Sequence, residues 1–512
     1  MTSPEPADLA ATTAYGAANS PETAAPERMS SRDRTVIGIL LIAAFVVIFN
    51  ETIMSVALPS LMVDLHISAS TGQWLTTAFM LTMAVLIPTT GFVLQRLSTR
   101  TVFLLAMSLF SAGTLMAALA PGFGVLLLAR IVQASGTSVM IPLLMTTVLN
   151  LVPPARRGSF MGTVTIVIAV APAIGPTVSG LILQYLSWRF MFLIVLPIAL
   201  IALGIGAAKL TNVGEQDSQP IDLLSVALTI PAFGLFVYGL NAFGAGGGQG
   251  VPVIGIVALL VGVACLLIFG RRQIKLQRAG NPLLDLRVFG FPDFRKSLLV
   301  IVLAMVAMFG MILILPLYLQ QVRGLDTLST GLLMLPGGVL MAIMGPIVGR
   351  LYDRYGPKGL MMIGTGLLTL MLVAFTVANE NTPIWLLGLQ YAIMMGAGLG
   401  MIMTPAMTNG LNPLPPHLYS HGSATLMTLQ QVAGAAGTAL LIAIMTIRSA
   451  SLASTGVDKL HAELGGIHAS FLVGAFAAAV AFVLSAFITK AMPAQAGDAH
   501  GPVSEPVPVS EG

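Results

Sequence analysis

The sequence predicts an all-α polytopic membrane protein, and three observations support this fold class. Of its 512 residues 56% are hydrophobic and only 9% are charged, whereas soluble domains have about 45–50% apolar and 25% charged residues. The mean hydropathy is +0.92. Apolar stretches of about 20 residues, the length that a helix needs to cross the hydrocarbon core, recur with polar breaks between them. This pattern excludes a soluble globular enzyme and a disordered or fibrous protein.

Two polar segments, residues 1–34 and 491–512, are predicted to be disordered cytoplasmic tails. The apolar run that starts at Thr35 begins too late for the apolar core of a signal peptide, so we expect a retained first span. Between the tails, fourteen apolar stretches are predicted to be membrane-spanning helices: 35–58, 72–95, 101–120, 124–149, 160–184, 190–208, 223–240, 252–270, 297–320, 331–351, 359–377, 384–408, 423–447 and 471–488.

The distribution of lysine and arginine predicts the orientation. Nineteen of the 24 basic residues fall before the first span, after the last span or in the connections that follow even-numbered spans. Four fall in the connections that follow odd-numbered spans, and Arg130 lies within a span. Because basic residues concentrate on the cytoplasmic side, both termini are expected to be cytoplasmic. The net charge of +4 therefore reflects membrane topology, and no nucleic-acid partner is expected.

An internal repeat predicts two related halves. The segment that starts at Gly91, at the end of span 2, aligns with the segment that starts at Gly349, at the end of span 10, at an offset of 258 residues. We therefore expect six-helix bundles over 35–209 and 297–490, and a linker, 210–296, that carries two inserted helices and a basic cytoplasmic loop. Parallel halves are a transporter architecture, with the binding site between them near the membrane midplane.

Motifs in five places resemble the signature motifs of the major facilitator superfamily. Together with fourteen spans they are similar to those of its fourteen-helix drug:proton antiporter family, and the resemblance runs from Thr35 to Ile488. The motif residues are Gly349, Asp353, Arg354, Gly356 and Lys358 after span 10, with Gly91, Arg96 and Arg100 as the first-half copy, Arg130, Gln133 and Gly136 in span 4, Gly175, Pro176 and Gly180 in span 5, and the run that starts at Asn50 in span 1.

The resemblance implies a role for two of these motifs. The loop motif after span 10 is expected to gate the cytoplasmic face, and the span 5 motif to act as a hinge that limits leak. The sequence departs from the family at Gln95, where an Asp is expected, at Ser98, where a Gly is expected, and at Asn50, which stands in the place of an Asp with Glu51 one residue later.

Glu51 and Arg130 are the two ionisable residues well inside a predicted span. A charge at mid-bilayer costs roughly 2.5–3.5 kcal/mol on insertion scales, so such residues are expected to face a cavity or each other. We hypothesise that Glu51 is a protonation site and that Arg130, with Asn50 nearby, is its structural or relay partner. The alternative is a static buried ion pair.

The substrate cavity has weaker signals. The 29 methionines and 23 phenylalanines provide polarizable surface for varied apolar ligands. Asp222 is interpreted as an interfacial helix cap, and His417 and His421 as solvated loop residues. Polar residues that are candidates for the cavity lining are Gln73, Trp74, Gln320, Gln430 and Gln431.

No cofactor or metal is expected. The single cysteine, Cys265, excludes an intrachain disulfide or a thiolate cluster, and the six histidines lack metal-ligand spacing. The chain has no GxxxxGK[ST] loop for ATP. An ion gradient is therefore the expected energy source.

The sequence thus predicts proton-coupled export of lipophilic compounds by a monomer in the cytoplasmic membrane, with protons and the lipid bilayer as its other partners. Neutral or mixed substrates such as lincosamide-like antibiotics are favoured, because Glu51 is the one acid well inside a span. A dedicated exporter of an endogenous metabolite, such as an amino acid, a siderophore or a self-made antibiotic, remains an alternative. A membrane sensor is disfavoured because no soluble output domain is present, and an enzyme because no catalytic constellation is.

Overall fold

A computed structural model describes residues 30–67, 69–212, 222–245, 253–278, 282–325 and 327–491, and this part of the chain contains helices and no strand. Most of both predicted tails lies outside it. Twelve helices of the described part are long and apolar enough to cross a membrane, and Leu224–Leu240 is a shorter apolar helix. The prediction of an all-α polytopic membrane protein is confirmed.

The first six helices have short connections. They are α1 (Ser31–Asp64), α2 (Ala69–Arg96), α3 (Thr99–Ala118), α4 (Phe123–Leu151), α5 (Arg157–Tyr185) and α6 (Arg189–Lys209). Helix α7 has three parts, Leu223–Thr229, a π-helical turn at Ile230–Leu235 and Phe236–Ala245, and it is followed by α8 (Val253–Arg278).

The remaining six helices are also long, and two contain π-helical turns. They are α9 (Pro292–Leu317, continued as Tyr318–Val322), α10 (Thr327–Tyr355), α11 (Pro357–Phe375), α12 (Ile384–Ala392, Ile393–Leu399 and Gly400–Leu411), α13 (Tyr419–Ser454) and α14 (Lys459–Ser485).

Each predicted stretch falls on a helix, but several predicted boundaries are wrong because helices continue into polar sequence. Helix α1 continues to Asp64, beyond the predicted end at residue 58, and α14 begins at Lys459, well before residue 471. The early start of α14 has a local cause, since the Asp458 side chain caps its first turn by accepting from the backbone N–H of His461. Hydropathy detects only the apolar part of such helices.

The helices form two groups, α1 to α6 and α9 to α14, that pack extensively on each other. The largest contact between any two helices is that of α5 with α10, which joins the groups, and α2 and α4 also pack on α13. Helices α7 and α8 pack together, and α7 also packs on α2 and α13. The apolar cluster at this place includes Ala84, Phe233, Phe269 and Ala424. The inserted helices therefore cover the contact between α2 and α13.

Candidate functional site: a buried arginine network and a closed end

Arg130 of α4 lies at the centre of a polar network that links α1, α2, α3 and α4. Its side chain is buried, with 1% of its surface exposed. Nη1 donates to Asn50 Oδ1 (3.4 Å) and to Gln133 Oε1 (2.9 Å), and Nε donates to the Leu75 carbonyl (3.4 Å). The guanidinium group also lies 4.0 Å from the ring centroid of Phe79. These contacts hold the cation in one position inside the first group of helices.

Gln133 extends the network to α3. Its Nε2 donates to Thr114 Oγ1 at 2.9 Å. Gly136, one turn further along α4, lets α4 approach α3 closely, because a Cβ there would overlap the Ala106 carbonyl oxygen. Gln133 therefore holds the Arg130 guanidinium group, whereas Gly136 sets the approach of α4 to α3.

Glu51 lies beside this network without joining it. Its side chain is half-buried, and within the described part of the chain it makes no hydrogen bond. Its charge interacts electrostatically with Arg130, but no oxygen of Glu51 lies within 4.0 Å of an Arg130 nitrogen. The structure therefore brings Asn50, and not Glu51, into contact with Arg130, and it contains no static ion pair between the two charges.

The span 5 motif forms the contact between α5 and α1 at only one of its two glycines. A Cβ on Gly175 would overlap the Thr52 side chain, and Ser179 Oγ donates to the Ile53 carbonyl at 2.9 Å. Gly180 is exposed, and a Cβ there would meet nothing within 4 Å. Pro176 lies on α5, and its side chain is outside the part of the chain that the structure describes.

The gate motif at the end of α10 contacts the start of α5. Asp353 Oδ1 accepts from the Gly158 backbone N–H and Oδ2 from the Ser159 backbone N–H, both at 2.9 Å. These are free donors of the first turn of α5, where the helix dipole favours a negative charge. The Asp353 carboxylate thus caps a helix of the other group, 194 residues away in sequence.

Glycines bring α5 and α10 into backbone contact beside this cap. A Cβ on Gly345 would lie 2.5 Å from the Gly162 carbonyl oxygen, and a Cβ on Gly349 would overlap the Gly158 carbonyl oxygen. The four glycines form two facing GxxxG pairs, the spacing that lets membrane helices approach closely. The motif identified Gly349, and the spacing of Gly158, Gly162 and Gly345 was the signal for the others.

The other gate residues act locally. Arg100 donates from Nη2 to the Ala207 carbonyl at 2.5 Å, at the end of α6. Gly356 has a φ of +80° before α11, a conformation that favours glycine. Arg354 lies 5.2 Å from the Tyr355 ring centroid, and Arg350 and Lys358 are exposed. Arg96 ends α2.

A second contact between the groups joins α2 to α13. His421 Nε2 lies 3.0 Å from Gln95 Oε1, and Gln95 Nε2 donates to the His417 carbonyl at 2.5 Å. Gly91 makes room for the ring, because a Cβ there would lie 2.8 Å from His421 Nδ1. His421 is 3% exposed, so its interpretation as a solvated loop residue was wrong: α13 begins at Tyr419 and carries it into the contact.

Arg157 is a functional candidate that sequence reasoning missed. It is 5% exposed and donates to the Asn412 amide oxygen (3.0 Å) and the Tyr419 hydroxyl (3.1 Å) of the other group, besides the Leu149 and Val152 carbonyls. Its position in a predicted cytoplasmic loop gave no signal for this contact.

The contacts of Asp353, Gln95, His421 and Arg157 lie at one end of the molecule. We call it the basic end and define it by Arg32, Arg100, Arg157, Arg354 and Lys490. Hydrogen bonds between the two helix groups lie there, and among them the bond between Thr165 and Thr404 (2.7 Å) is the deepest. Thr165 is eight residues into α5, so these bonds extend about 12 Å along the helix.

At the opposite end, hydrogen bonds within each group join neighbouring helices. There Trp188 Nε1 donates to Asp64 Oδ2 at 2.7 Å, and this bond, with Arg189, lowers the pKa of Asp64 despite some desolvation. In the other group Tyr318 donates to the Asn379 carbonyl at 2.8 Å. Arg130, seven residues from the start of α4 at this end, lies about 10 Å deep.

The predicted cavity residues do not converge on one site. Trp74 stacks on Tyr238 of α7, with ring centroids 6.0 Å apart. Gln320 is exposed, and Gln430 and Gln431 are half-buried, with Gln430 Nε2 lacking a partner. The Gln73 side chain lies outside the described features. Among the described residues no group of three His, Cys, Asp or Glu side chains could hold a metal ion.

Comparisons with known proteins agree with this architecture. A family model described as Major Facilitator Superfamily matches residues 40–438. The chain is 40% identical to the lincomycin resistance protein LmrB of Bacillus subtilis over 425 residues, which is 83% of this chain and 88% of that protein. It is 42% identical to the MFS-type transporter YcnB of the same organism, over 89% of this chain and 95% of YcnB.

More distant proteins share the same fold. A multidrug resistance protein B homolog of Mycobacterium tuberculosis is 29% identical over 85% of this chain and 80% of its own length. The crystal structure of the human organic anion transporter MFSD10 superimposes with a TM-score of 0.64 at 16% identity, covering 88% of this chain and 99% of that one. At this identity the likeness concerns the fold alone.

Proposed function

The chain belongs to the Major Facilitator Superfamily, and from this premise we propose that it exports lipophilic antibiotics, lincosamides among them, by proton antiport. The membership makes it a multi-pass membrane transporter of small molecules. The observation that carries the substrate class is the 40% identity with a lincomycin resistance protein over 83% of the chain. The sequence favours neutral or mixed substrates of this kind on independent grounds, because Glu51 is the one acid well inside a predicted span.

Alternating access is supported by the difference between the two ends. The helix groups are joined by hydrogen bonds at the basic end, whereas at the other end Tyr318 bonds to Asn379 within one group. With both termini cytoplasmic, as the lysine and arginine distribution predicts, the basic end is the cytoplasmic side, and it is closed. Release of the Asp353 cap and of the contact between Gln95 and His421 would let the basic end open to the cytoplasm.

Proton coupling is assigned to Glu51. A carrier must bind and release a proton during the cycle, and a carboxylate held in several strong hydrogen bonds is poorly suited to that. Glu51 has no such bond, whereas its neighbour Asn50 is bound to Arg130. A substrate that screens or approaches the positive charge of Arg130 changes the electrostatic field at the Glu51 carboxyl and thereby shifts the proton equilibrium.

The same proposal includes the finer topology. We place fourteen membrane-spanning helices in the cytoplasmic membrane, six in each bundle (35–209 and 297–490) and two, α7 and α8, in the linker between them. A monomer is sufficient, since both helix groups that surround the site come from one chain.

The test is accumulation of labelled lincomycin in everted membrane vesicles from cells that express the chain. Respiration acidifies the vesicle lumen, so a proton antiporter accumulates the drug, and nigericin abolishes the accumulation. We expect Glu51→Gln to abolish accumulation while lincomycin exchange without a gradient persists, because drug binding does not require the proton.

Glu380→Gln is the matched control, since Glu380 is an exposed acid in the connection between α11 and α12. Full gradient-driven accumulation by Glu51→Gln would overturn the assignment of the proton site. If the wild-type chain accumulates no antibiotic, the alternative of a dedicated metabolite exporter gains support.

A further inference from the structure

A cleft at the basic end lies between α5 and α10, beside the Asp353 cap. Its volume is about 470 Å³, and it is lined by Arg156, Ser159, Phe160, Arg350, Asp353 and Arg354. The three arginines are exposed. One comes from the first helix group and two come from the second, so the cleft crosses the boundary between them.

The cleft carries excess positive charge. None of its three guanidinium groups lies within 4.0 Å of a carboxylate oxygen in the described part of the chain. The one acid present, Asp353, already accepts two backbone N–H groups. Three cations facing one engaged carboxylate form a site for an anion, and arginine forks match the geometry of phosphate oxygens.

The surface next to the cleft is apolar and exposed. Ile343 and Ile347 on α10 are 54% and 39% exposed, and their spacing to Arg350 and Arg354 places all four on one face of the helix. Tyr355, 69% exposed, lies at the end of the same helix, as tyrosines do at membrane interfaces. An apolar stripe that ends at arginines matches the acyl chains and headgroup of a lipid.

We propose that this cleft binds the phosphate of an anionic phospholipid headgroup, with the acyl chains lying along the stripe of α10. The inserted helices cover the contact between α2 and α13, so the contact between α5 and α10 is the one that lipid can reach. A headgroup held by Arg156 and by Arg350 or Arg354 bridges the two helix groups. Anionic lipid therefore stabilises the closed basic end, whichever substrate is transported.

The test is native mass spectrometry of the purified full-length chain, titrated with phosphatidylglycerol and separately with phosphatidylcholine. The variant Arg156→Gln/Arg350→Gln/Arg354→Gln removes the cleft charges. We expect its affinity for the first phosphatidylglycerol to fall about fivefold for each arginine that contacts the phosphate, and its weak binding of phosphatidylcholine to stay unchanged. The double variant Arg350→Lys/Arg354→Lys keeps the charge and should lose less.

The control Lys275→Gln/Arg278→Gln/Arg295→Gln removes the same number of exposed charges from the same end, outside the cleft and the gate motif. An equal loss in this control, or unchanged binding in the cleft variant, overturns the proposal. Excess inorganic phosphate distinguishes the two sources of the anion: displacement of phosphatidylglycerol by phosphate alone would make the ligand a soluble anion and overturn the assignment to lipid. A thermal unfolding midpoint for each variant confirms that it is folded.

Discussion

Replacing Asp353 tests whether the cap on α5 holds the basic end closed. The carboxylate accepts two backbone N–H groups at 2.9 Å. A cap of this kind contributes about 0.5–2 kcal/mol, and its charge at a helix N-terminus about 0.3–1 kcal/mol. Asp353→Asn keeps one acceptor oxygen and loses the charge, so we expect the closed basic end to lose about 1 kcal/mol of stability relative to the open one. Asp353→Ala loses both acceptors, so we expect this loss to be about 2 kcal/mol.

These values translate into populations. A change of 1.4 kcal/mol is tenfold in an equilibrium constant, so the ratio of closed to open basic ends should fall about fivefold in Asp353→Asn and about thirtyfold in Asp353→Ala. Double electron–electron resonance measures this ratio between spin labels at Ala155 and Gly359, which are exposed at the basic end on different helix groups. Replacing Cys265, the one native cysteine, leaves a clean background.

The control is Asp293→Asn. Asp293 is an acid at the same end whose Oδ1 accepts from Thr489 of its own helix group at 3.0 Å. Its loss should leave the distance distribution unchanged. The reasoning fails if both Asp353 variants keep the wild-type distribution, or if Asp293→Asn opens the end as much, because then net charge and not the cap sets the closure.

Three further variants test the packing and the polar clusters. Gly175→Ala should lower the thermal unfolding midpoint because its methyl overlaps a side chain of α1, whereas Gly180→Ala should be neutral, since open space surrounds that position. Gln133→Leu removes an acceptor from the buried guanidinium group and should cost about 1–3 kcal/mol in unfolding free energy, whereas Gln430→Leu, where the amide nitrogen has no partner, should cost less. Asp222→Asn should lower stability at neutral pH, and its difference from the wild type should disappear as the pH falls below about 4.

The sign of the last effect follows from the contacts of Asp222. Desolvation raises its pKa, but the bonds from Arg272 (2.9 and 3.0 Å) and Ser225 (2.6 Å) outweigh it and lower the pKa. A carboxyl with a lowered pKa contributes stability above its ordinary pKa and loses it as the pH falls through the lowered value. Asp222 also accepts from the Leu224 N–H, which agrees with its interpretation as a helix cap.

The sequence was informative where one physical variable decides the structure. Hydrophobic length predicted where the helices lie, because each span must satisfy its backbone hydrogen bonds internally. Motif spacing placed Gly349 and Gly175 at close helix contacts. It could not separate Gly175 from Gly180, because a small residue is needed only where another helix approaches, and that depends on residues far away in the chain.

The contacts between the helix groups were largely beyond sequence reasoning. Arg157 and His421 lie in segments whose composition is typical of solvated connections, yet both are buried. Their burial depends on partners more than 250 residues away, such as Asn412 for Arg157 and Gln95 for His421. Hydropathy is a local average and carries no information about such pairs.

The two contacts at the basic end differ in chemistry and in surroundings. The contact between α5 and α10 combines a carboxylate cap with glycine backbones in contact and is open to lipid. The contact between α2 and α13 has the neutral Gln95 in place of the family's acid, paired with a buried histidine, and α7 covers it. Because the Gln95 amide carries no charge, it can lie in this covered contact without solvent or lipid nearby to stabilise a charge. The inserted helices and the departure at Gln95 therefore occur at the same contact, whereas the charged side chains that join the helix groups, Asp353 and Arg157, lie at the start of α5.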